Sequence, residues 1–383
     1  MPCNNVKFFN YSISLFLLLG ILGFLCGTTF GITLVLIKKL PLWVLGLMSL
    51  LGAFQLFAHA MIQKIITGVE TLVYYRHEIG LMALCGLVLW YIGQPTKAFL
   101  DICLLGLGIF LGFGRMGCYN VGCCHGKPSK IGVKYSQEHA QAGFPFYFVG
   151  VKIFPIQLIE SFFVFITVIV GTWFVLHNYP AGTALIWYTV FYGGVRFILE
   201  FFRGDPERPY WYGFSEAQWT TLVLFIVTAG LSWLGWLPFY VGHIVAIFAL
   251  LGAMLFIYFF KQFQTIPIYK ITTPHHIQEI AIGLRGVEQL KYEQRLFQGK
   301  QVIPIANTSL GLRISSGIVS IENSQLAHYT LSVANNNSKT NKPFTLNRQV
   351  AHKIGNLIQL LKHQNQSFHI QEGQSGIYHI VFE

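Results

Sequence analysis

Residues 96–128 read TKAFLDICLLGLGIFLGFGRMGCYNVGCCHGKP, a long apolar run that ends in an arginine and a polar loop. The run contains one carboxylate, Asp101, and Arg115 stands where the run gives way to several glycines. Glycine frees the backbone, and a charged side chain inside an apolar segment usually marks a functional site. We therefore predict that Arg115 lies at the mouth of a site where an anion meets a membrane.

The composition of the chain indicates a membrane protein. Of the 383 residues, 54% are hydrophobic and only 11% are charged, and the mean hydropathy is +0.54. These values do not suit a soluble globular protein. The formal net charge of +11 comes from scattered Lys and Arg residues, with no basic stripe between stacking aromatics. We therefore predict attraction to anionic membrane lipids and no binding to nucleic acid.

Apolar windows predict seven or eight transmembrane helices. A span needs about 20 apolar residues; six windows reach that length, a seventh at 96–114 is almost as long, and an eighth at 79–93 suits a tilted or partial segment. The six longer windows are 11–37, 41–63, 154–176, 181–202, 215–235 and 238–260. The predicted fold class is an all-α polytopic membrane protein with a small α+β C-terminal domain.

The C-terminal domain is predicted from a change of composition after Lys261, where apolar runs shorten and Gln, Asn and His become frequent. We predict a transmembrane domain over residues 1–262 and a soluble α+β domain of unknown role over residues 265–383. Two segments rich in β-branched and aromatic residues predict strands, and one with apolar residues near helical spacing predicts an amphipathic helix. The strands are 310–320 and 376–382, the helix is 345–363, and residues 335–339 form a predicted polar loop.

The few charged residues inside the apolar segments are candidates for chemistry. Each costs about 2.5–3.5 kcal/mol at mid-helix on insertion scales, so such residues are usually paired or line a polar cavity. Asp101 precedes Arg115 by fourteen residues, which puts both on roughly one helix face but about 21 Å apart. Arg196, Glu200 and Arg203 share one helix face. They form either an ion-pair ladder that neutralises itself, or a site where Glu200 orients one arginine while another binds a substrate phosphate.

The seven cysteines all lie in the first third of the chain, at positions 3, 26, 85, 103, 118, 123 and 124. Several stand in apolar runs, where Cys behaves as a small hydrophobe, so we predict no disulfide framework. Cys118, Cys123, Cys124 and His125 could hold zinc or serve in redox chemistry. However, adjacent cysteines cannot easily both reach one tetrahedral ion. We therefore predict no metal site, and packing of the loop as the use of these residues.

Four motifs in chain order resemble those of the prolipoprotein diacylglyceryl transferase family. They are Gly-Arg-x-Gly-Cys-x-x-x-Gly-Cys-Cys-x-Gly over residues 114–126, Pro155-x-Gln157-Leu158-x-Glu160, Arg196-Phe-x-x-Glu200-Phe-Phe-Arg203-x-Asp205, and Ser215-x-x-Gln218. The resemblance covers about residues 75–260 and none of residues 265–383. Cys118 stands where some members have Asn, so the chain looks like the Cys-rich branch with an unfamiliar C-terminal extension.

This resemblance implies a reaction and its main residues. Members transfer a diacylglyceryl group from phosphatidylglycerol to the lipobox cysteine thiol of a prolipoprotein signal peptide and release glycerol 1-phosphate, at the bacterial inner membrane. By resemblance, Arg115 and Arg196 match the essential arginines, Glu200 matches the helix carboxylate, and Asp101 matches the aspartate before the Gly-Arg motif. Two fixed guanidinium groups suit this chemistry, because the leaving phosphate must be stabilised in a partly dehydrated site. We expect no metal or organic cofactor.

The family's His-Gly-Gly segment corresponds less closely to this chain. Tyr75-Arg76-His77-Glu78-Ile79-Gly80 offers His77, but Glu78 and Ile79 replace both glycines. His77 is the natural general base for the thiol because an imidazole titrates near neutral pH. The alternative is that His77 belongs to a structural ion network with Arg76 and Glu78. Arg76 is also a candidate phosphate contact.

Further candidates for substrate binding are polar residues near the ends of apolar segments. Asn120 either hydrogen-bonds a lipid head group or caps the loop. Gln157 and Glu160 are expected to brace the start of their helix toward the site, and Gln218 to do the same in the first turn of a later span. Arg203 completes this group.

Two other functions stay open. The lost glycines after His77 and the unfamiliar C-terminal region fit a related lipid-group transferase with a different acceptor. A non-catalytic lipid-binding membrane scaffold, whose C-terminal domain recruits a partner, fits the same features.

Overall fold

The computed structural model describes the chain except for residues 1, 3–4, 9–10, 69–73, 207, 264–267, 293–295, 298–299, 302, 322–323, 334–344 and 375. The N-terminal two thirds of the chain is mainly helical. Its helices are α1 (Leu15–Ile37), α2 (Leu42–Thr67), α3 (Tyr74–Tyr91), α4 (Thr96–Val121), α5 (Gln137–Gln141), α6 (Ile156–Leu176), α7 (Thr183–Trp187), α8 (Gly193–Leu199), α9 (Glu216–Trp233) and α10 (Val241–Phe263). Three short antiparallel strand pairs accompany them: β1 (Asn5–Phe8) with β2 (Tyr11–Ser14), β3 (Pro128–Lys134) with β4 (Lys152–Ile153), and β5 (Tyr210–Trp211) with β6 (Phe214–Ser215).

Within the part of the chain that the structure describes, six helical segments are long and apolar enough to cross a membrane. They are Leu15–Ile37, Leu42–Ile66, Thr96–Val121, Ile156–Leu176, Thr183–Phe202 and Val241–Phe263. All eight predicted windows form helices, but α3 and α9, which both begin with polar residues, fall outside these six. The predicted fold class is confirmed, and the chain is a multi-pass membrane protein with six candidate spans.

Helix α4 is longer than its apolar run predicts. The run was expected to end at residue 114, but the helix continues to Val121, so Arg115 lies inside it and not in a loop. The glycines of this segment remain helical and let neighbouring side chains pack closely against α4. A Cβ on Gly112 would lie 2.6 Å from the Phe165 side chain, and a Cβ on Gly117 would lie 3.0 Å from the Phe16 side chain. Helix α4 ends at Gly122, whose φ of +81° is left-handed, as is common at helix C-termini.

Helices α1 and α4 pack backbone to backbone along a stripe of small residues. A Cβ on Gly27 would lie 2.7 Å from the carbonyl oxygen of Gly106, and one on Gly23 would lie 2.7 Å from the Phe113 side chain. Small residues at helix contacts are typical of membrane proteins, where association depends on close van der Waals packing. This contact fixes α4, and with it Arg115, against the first span.

The C-terminal region is an antiparallel sheet with two covering helices. The sheet order is β12 (Phe368–Glu372), β13 (Tyr378–Phe382), β11 (Ser324–Val333), β10 (Leu312–Ile321) and β9 (Ile305–Asn307). The remaining elements are α11 (Ile268–Ile271), α12 (Pro274–Tyr292), α13 (Arg348–Lys362), β7 (Leu296–Phe297) and β8 (Lys300–Gln301). The predicted strands correspond to β10 and β13 and the predicted helix to α13. The predicted loop at 335–339 and the predicted boundary at 265 lie outside the described residues.

The core of this region continues into a loop of the helical part. Buried residues of the sheet and its helices, including Ile280, Ile314 and Ile358, form one hydrophobic cluster with Tyr147 and Phe148, which lie between α5 and β4. Arg285 of α12 reinforces the contact by donating a hydrogen bond to the carbonyl oxygen of Val149 at 3.1 Å. The loop between α4 and α6 is therefore held by the C-terminal region as well as by the helices to which it is joined.

Candidate active site

The centre of the site is Glu160 of α6, a carboxylate that is completely buried. Arg196 of α8 donates a hydrogen bond from Nη1 to Glu160 Oε1 at 2.5 Å, and Tyr192 donates its hydroxyl proton to the same oxygen at 2.8 Å. Arg115 of α4 places Nε 3.0 Å from Glu160 Oε2, outside the angle of a hydrogen bond. Arg203 places Nη1 3.9 Å from that oxygen. Three guanidinium groups from two membrane segments and the loop that follows therefore meet at one carboxylate.

Arg115 and Arg203 each have a guanidinium N–H donor that no described residue accepts from. Both are largely buried, with 9% and 1% of their surface exposed. Among the described residues, Nε of Arg115 and Nη1 of Arg203 have no hydrogen-bond partner. A buried guanidinium with unused donors is expected to bind an anion, because each lost donor costs free energy when water is excluded.

A second carboxylate, Glu200, holds the other side of the cluster. Arg208 donates from Nη1 to both of its oxygens, at 2.6 and 2.9 Å, and Ser215 donates its hydroxyl proton at 3.2 Å. Arg196 is further away, with Nη2 3.8 Å from Glu200 Oε1. Arg203 pairs mainly with Asp205, through Nε at 2.8 Å and Nη2 at 2.6 Å. The predicted series of Arg196, Glu200 and Arg203 is therefore not the main pairing.

The backbone of the segment 183–202 explains how these side chains reach the site. Residues Tyr188–Tyr192 form one π-helical turn between α7 and α8, a feature that is common at functional sites. The turn places Tyr192 against Glu160. Residues Glu200–Phe202 form a 3₁₀ turn, and the chain becomes extended at Arg203. Arg203 can therefore leave the helix and turn its side chain inward.

Two glycines join this segment to the loop after α4. Gly126 forms an isolated antiparallel bridge with Arg203, and the N–H of Gly204 donates to the carbonyl oxygen of His125 at 2.9 Å. A Cβ on Gly204 would lie 2.3 Å from the Gly126 oxygen, and one on Gly126 would lie 2.4 Å from the Phe154 oxygen. Only glycine allows this approach, so the two loops are locked together beside the arginines.

The loop after α4 brings three cysteines together. The Sγ atoms of Cys118, Cys123 and Cys124 all lie within 4.8 Å of one another. The sulfur atoms of the adjacent Cys123 and Cys124 can lie close together because Cys124 has a left-handed φ of +53°, so the alternation of side chains in extended backbone does not apply. Hydrogen bonds with Cys118 and Cys123, and then the charges of Arg203 and Arg115, lower the pKa of the Cys124 thiol.

The comparison with known families matches a segment of the helical part of the chain. The sequence model of the prolipoprotein diacylglyceryl transferase family matches residues 72–234. This segment belongs to that family. It runs from the start of α3 to the end of α9 and contains the whole arginine cluster.

Two named proteins are similar to part of this chain. The phosphatidylglycerol–prolipoprotein diacylglyceryl transferase of Clostridium tetani is 35% identical over 110 residues, which are 28% of this chain and 42% of that protein. Phosphatidylglycerol–prolipoprotein diacylglyceryl transferase 2 of Clostridium perfringens is 35% identical over 110 residues, or 28% of this chain and 40% of that protein. The chain therefore spans less than half the length of these curated relatives. No solved structure matches the chain at a significant level.

Three polar residues that were predicted to bind substrate hold the backbone around the arginine cluster. Gln157 is fully buried and donates from Nε2 to the Cys123 carbonyl oxygen at 2.9 Å. Gln218 forms a capping box with Ser215 and donates to the Phe197 carbonyl oxygen at 3.1 Å. Asn120 donates to the Met116 carbonyl oxygen at 2.8 Å, one turn back in α4. These contacts shape the loops that frame the arginines.

Asp101 is not brought to the arginine cluster. Its two carboxylate oxygens accept hydrogen bonds from the backbone N–H groups of Gly182 and Leu185, both at 2.7 Å. These N–H groups lie at the start of α7, where backbone donors have no partner inside the helix. The geometry supports a role for Asp101 in capping α7, the start of the span Thr183–Phe202 that also carries Arg196.

The predicted residues of α3 lie at different places around the candidate site. Arg76 is partly exposed and donates from Nε and Nη2 to Glu216 Oε1, at 3.0 and 2.5 Å, so it joins α3 to α9. His77 is buried against the ring of His59, with ring centroids 4.6 Å apart, and its two nitrogens have no partner among the described residues. Glu78 interacts electrostatically with Arg115 and Arg196.

Sequence reasoning missed four residues that this cluster uses: Tyr192, Asp205, Arg208 and Ser215. Asp205 and Ser215 stood inside the recognised motifs but were given no role. Arg208 stands in a loop with other charged residues, where an arginine is usually solvated, so its sequence carries no signal for the contact with Glu200. Tyr192 could have been found only by expecting the π-helical turn.

Proposed function

We propose that this protein transfers a diacylglyceryl group from phosphatidylglycerol to the cysteine thiol of a prolipoprotein lipobox and releases glycerol 1-phosphate. The observation that carries the proposal is the meeting of Arg115 and Arg196, from separate membrane helices, at the buried Glu160. Membership of the transferase family over residues 72–234 and the names of the two clostridial relatives support the same activity.

The arginines provide a site for the phosphate of the donor lipid. A guanidinium group binds phosphate oxygens through two parallel N–H donors, which a lysine cannot do. Glu160 fixes the orientation of Arg115 and Arg196 before substrate binds, so little reorganisation is needed when negative charge develops on the leaving group. Preorganised donors of this kind act most strongly where water is excluded. We assign Arg203 to the same phosphate, because its Nη1 has no hydrogen-bond partner among the described residues.

The reaction that follows is a displacement at the glyceryl carbon next to the phosphate. The cysteine sulfur forms the new carbon–sulfur bond, the carbon–oxygen bond to phosphate breaks, and its electron pair leaves on the phosphate oxygen. The thiol proton goes to a general base. We propose His77 for this role, since its ring nitrogens have no partner among the described residues and could receive a proton. Glu200 acts by positioning Arg208 and the loop around Arg203.

The cellular setting of this proposal follows from the family. A phosphatidylglycerol donor, a prolipoprotein acceptor with its signal peptide, and the bacterial inner membrane are the partners and location that the family implies. Six candidate spans agree with an enzyme that meets its lipid substrate within the bilayer.

A related transferase with another acceptor is the second candidate. It is favoured by Glu78, which stands beside His77 where a glycine is expected and interacts with Arg115 and Arg196. An additional carboxylate near the phosphate site would change which acceptor can approach. In both cases the donor lipid and the arginines have the same roles.

The test uses the full chain purified in lipid nanodiscs with labelled phosphatidylglycerol and a lipobox peptide, and identifies the products by mass spectrometry. We expect a peptide heavier by one diacylglyceryl group, and a loss of about 10²–10³-fold in turnover for Arg115→Ala and Arg196→Ala. Arg313→Ala, at an exposed residue of β10, is the matched control.

Unchanged turnover in either arginine variant would reject its assignment. Consumption of the lipid without modification of the peptide would favour the second candidate. Binding of phosphatidylglycerol without consumption would favour a non-catalytic scaffold.

A further inference from the structure

We propose that Cys118, Cys123 and Cys124 bind one thiophilic metal ion of the Zn²⁺ class, next to the arginine cluster and separate from the transfer reaction. Their sulfur atoms lie within 4.8 Å of one another. Zinc is bound by thiolates at about 2.3 Å, and a tetrahedral arrangement at that bond length places sulfur atoms about 3.8 Å apart. A contraction of about 1 Å or less would therefore complete the site.

The backbone that carries the three sulfur atoms is held in place. Cys118 lies in the last turn of α4, and the N–H of Gly122 donates to its carbonyl oxygen at 2.9 Å. A Cβ on Gly122 would lie 2.7 Å from the Phe144 ring, so this tight turn requires glycine. Gln157 of α6 holds the carbonyl oxygen of Cys123 at 2.9 Å. The sulfur atoms are thus presented by a rigid turn, which is what a metal site requires.

Neighbouring charges favour a cluster of thiolates with a metal ion. Three thiolates and one divalent cation carry a net charge of −1, which nearby cations can stabilise. Arg115 precedes Cys118 by three residues, so both lie on the same face of α4, and Arg203 is joined to the end of the same loop by its bridge with Gly126. On binding, the ion forms three metal–sulfur bonds and the three thiol protons pass to solvent. No oxidant or reductant is involved.

The chain supplies three ligands to this site. His125 does not take part: its Nδ1 lies 2.8 Å from the Gly126 carbonyl oxygen, and its ring packs against Phe144 and Phe148. Cys123 is exposed, whereas Cys118 and Cys124 are half-buried. The fourth coordination position therefore faces solvent, and a water molecule or an exogenous thiol can occupy it.

The experiment uses the full chain in nanodiscs, with its affinity tag removed and its thiols reduced by a phosphine. Titration with Co²⁺ is expected to give the sulfur-to-metal charge-transfer absorption of thiolate coordination, with one equivalent bound and displaced by Zn²⁺. Cys118→Ser, Cys123→Ser and Cys124→Ser are each expected to lower the affinity at least tenfold. Cys26→Ser, an exposed cysteine of α1, is the matched control and should bind as the wild type does.

Two readouts protect this test against a misfolded variant. Far-ultraviolet circular dichroism must show that each variant keeps its helices. In the wild type, Zn²⁺ should slow the reaction of Cys123 with maleimide, a measurement that needs no variant. Absence of the charge-transfer absorption, or a stoichiometry that survives Cys124→Ser, would overturn the proposal. Lipid transfer is measured separately, so failure of the metal site and failure of the proposed transferase function remain distinguishable.

Discussion

Arg196 of α8 donates a 2.5 Å hydrogen bond to the buried Glu160 of α6, which links two candidate spans through one ion pair. Both side chains are buried. Removing one partner of a buried ion pair leaves an uncompensated charge and costs about 3–5 kcal/mol. This pair therefore serves two purposes, since it keeps Arg196 oriented and it holds the two helices together.

Glu160→Gln is expected to lower the free energy of unfolding by about 3–5 kcal/mol, because Arg115, Arg196 and Arg203 would lose their common counter-charge. Denaturant unfolding in mild detergent, followed by circular dichroism, measures this loss. The matched control is Glu138→Gln, an exposed residue of α5 that should change stability by less than about 0.5 kcal/mol. Equal stabilities of the two variants would contradict the finding that the arginines depend on Glu160.

Arg115→Lys is expected to reduce turnover strongly although the charge is kept. A lysine ammonium is a point charge without the planar pair of donors that matches a phosphate, so we expect a loss of about 10²-fold in kcat. Initial rates with labelled phosphatidylglycerol measure it, with Arg313→Lys as control. Full activity of Arg115→Lys would show that charge alone is needed at this position.

His77→Gln is expected to lower kcat by about 10²–10⁴-fold if His77 accepts the thiol proton. The neighbouring His59→Gln, which removes the ring that packs edge to face against His77, should affect turnover less. The informative measurement is the rate with a peptide thiol of lowered pKa, which depends less on a base and should partly rescue His77→Gln. If the two variants behave alike and neither is rescued, His77 is a packing residue.

Asp101→Ala is expected to lower stability by about 0.5–2 kcal/mol, since it removes the acceptors of two N–H groups at the start of α7. The folded fraction should keep the KM of the wild type for phosphatidylglycerol. Asp101→Asn retains one acceptor oxygen and should recover part of the stability. A raised KM at unchanged stability would instead assign Asp101 to substrate binding.

The C-terminal region is expected to lose stability as the pH falls below about 6.5. Burial lowers the pKa of His276, although its hydrogen bond to the Ile271 carbonyl and the charge of Glu279 act in the opposite direction. The folded state therefore keeps His276 neutral while the unfolded chain binds a proton, so the contribution is present above the unfolded pKa and is lost as the pH decreases. His275 is the second titratable group near it.

Hydrogen exchange of α12 at pH values of about 7.5 and about 5.5 measures this dependence. His276→Gln should flatten it, and the exposed His275→Gln is the control. Part of the dependence should persist in His276→Gln, because burial also lowers the pKa values of His328 and His363. No change in exchange between wild type and His276→Gln would remove His276 from the explanation.

The sequence allowed much of the helical architecture to be predicted, because length and apolar character are local properties. All eight apolar windows form helices, and Arg115 and Arg196 were noticeable as charges inside apolar runs. The central role of Glu160 in the site could not be predicted in the same way. Glu160 was expected only to brace its helix, since nothing local shows that arginines 45 residues before it and 36 residues after it would meet there.

Other contacts could not be predicted from the sequence for similar physical reasons. The capping of α7 by Asp101 joins residues 81 positions apart. A lone carboxylate in an apolar run does not indicate which distant residue will donate a hydrogen bond to it. The approach of Cys123 and Cys124 depends on one left-handed residue, whose energetic cost is small and which no propensity predicts for cysteine.

The shared core of the C-terminal sheet and the loop between α4 and α6 has an evolutionary consequence. Tyr147 and Phe148 are hydrophobic because Ile280 and its neighbours cover them, so each partner constrains which substitutions the other can accept. The loop and the C-terminal region are therefore expected to vary together among related sequences. The C-terminal region belongs to the scaffold that supports the loop beside the arginines, and it is not an independent appendage.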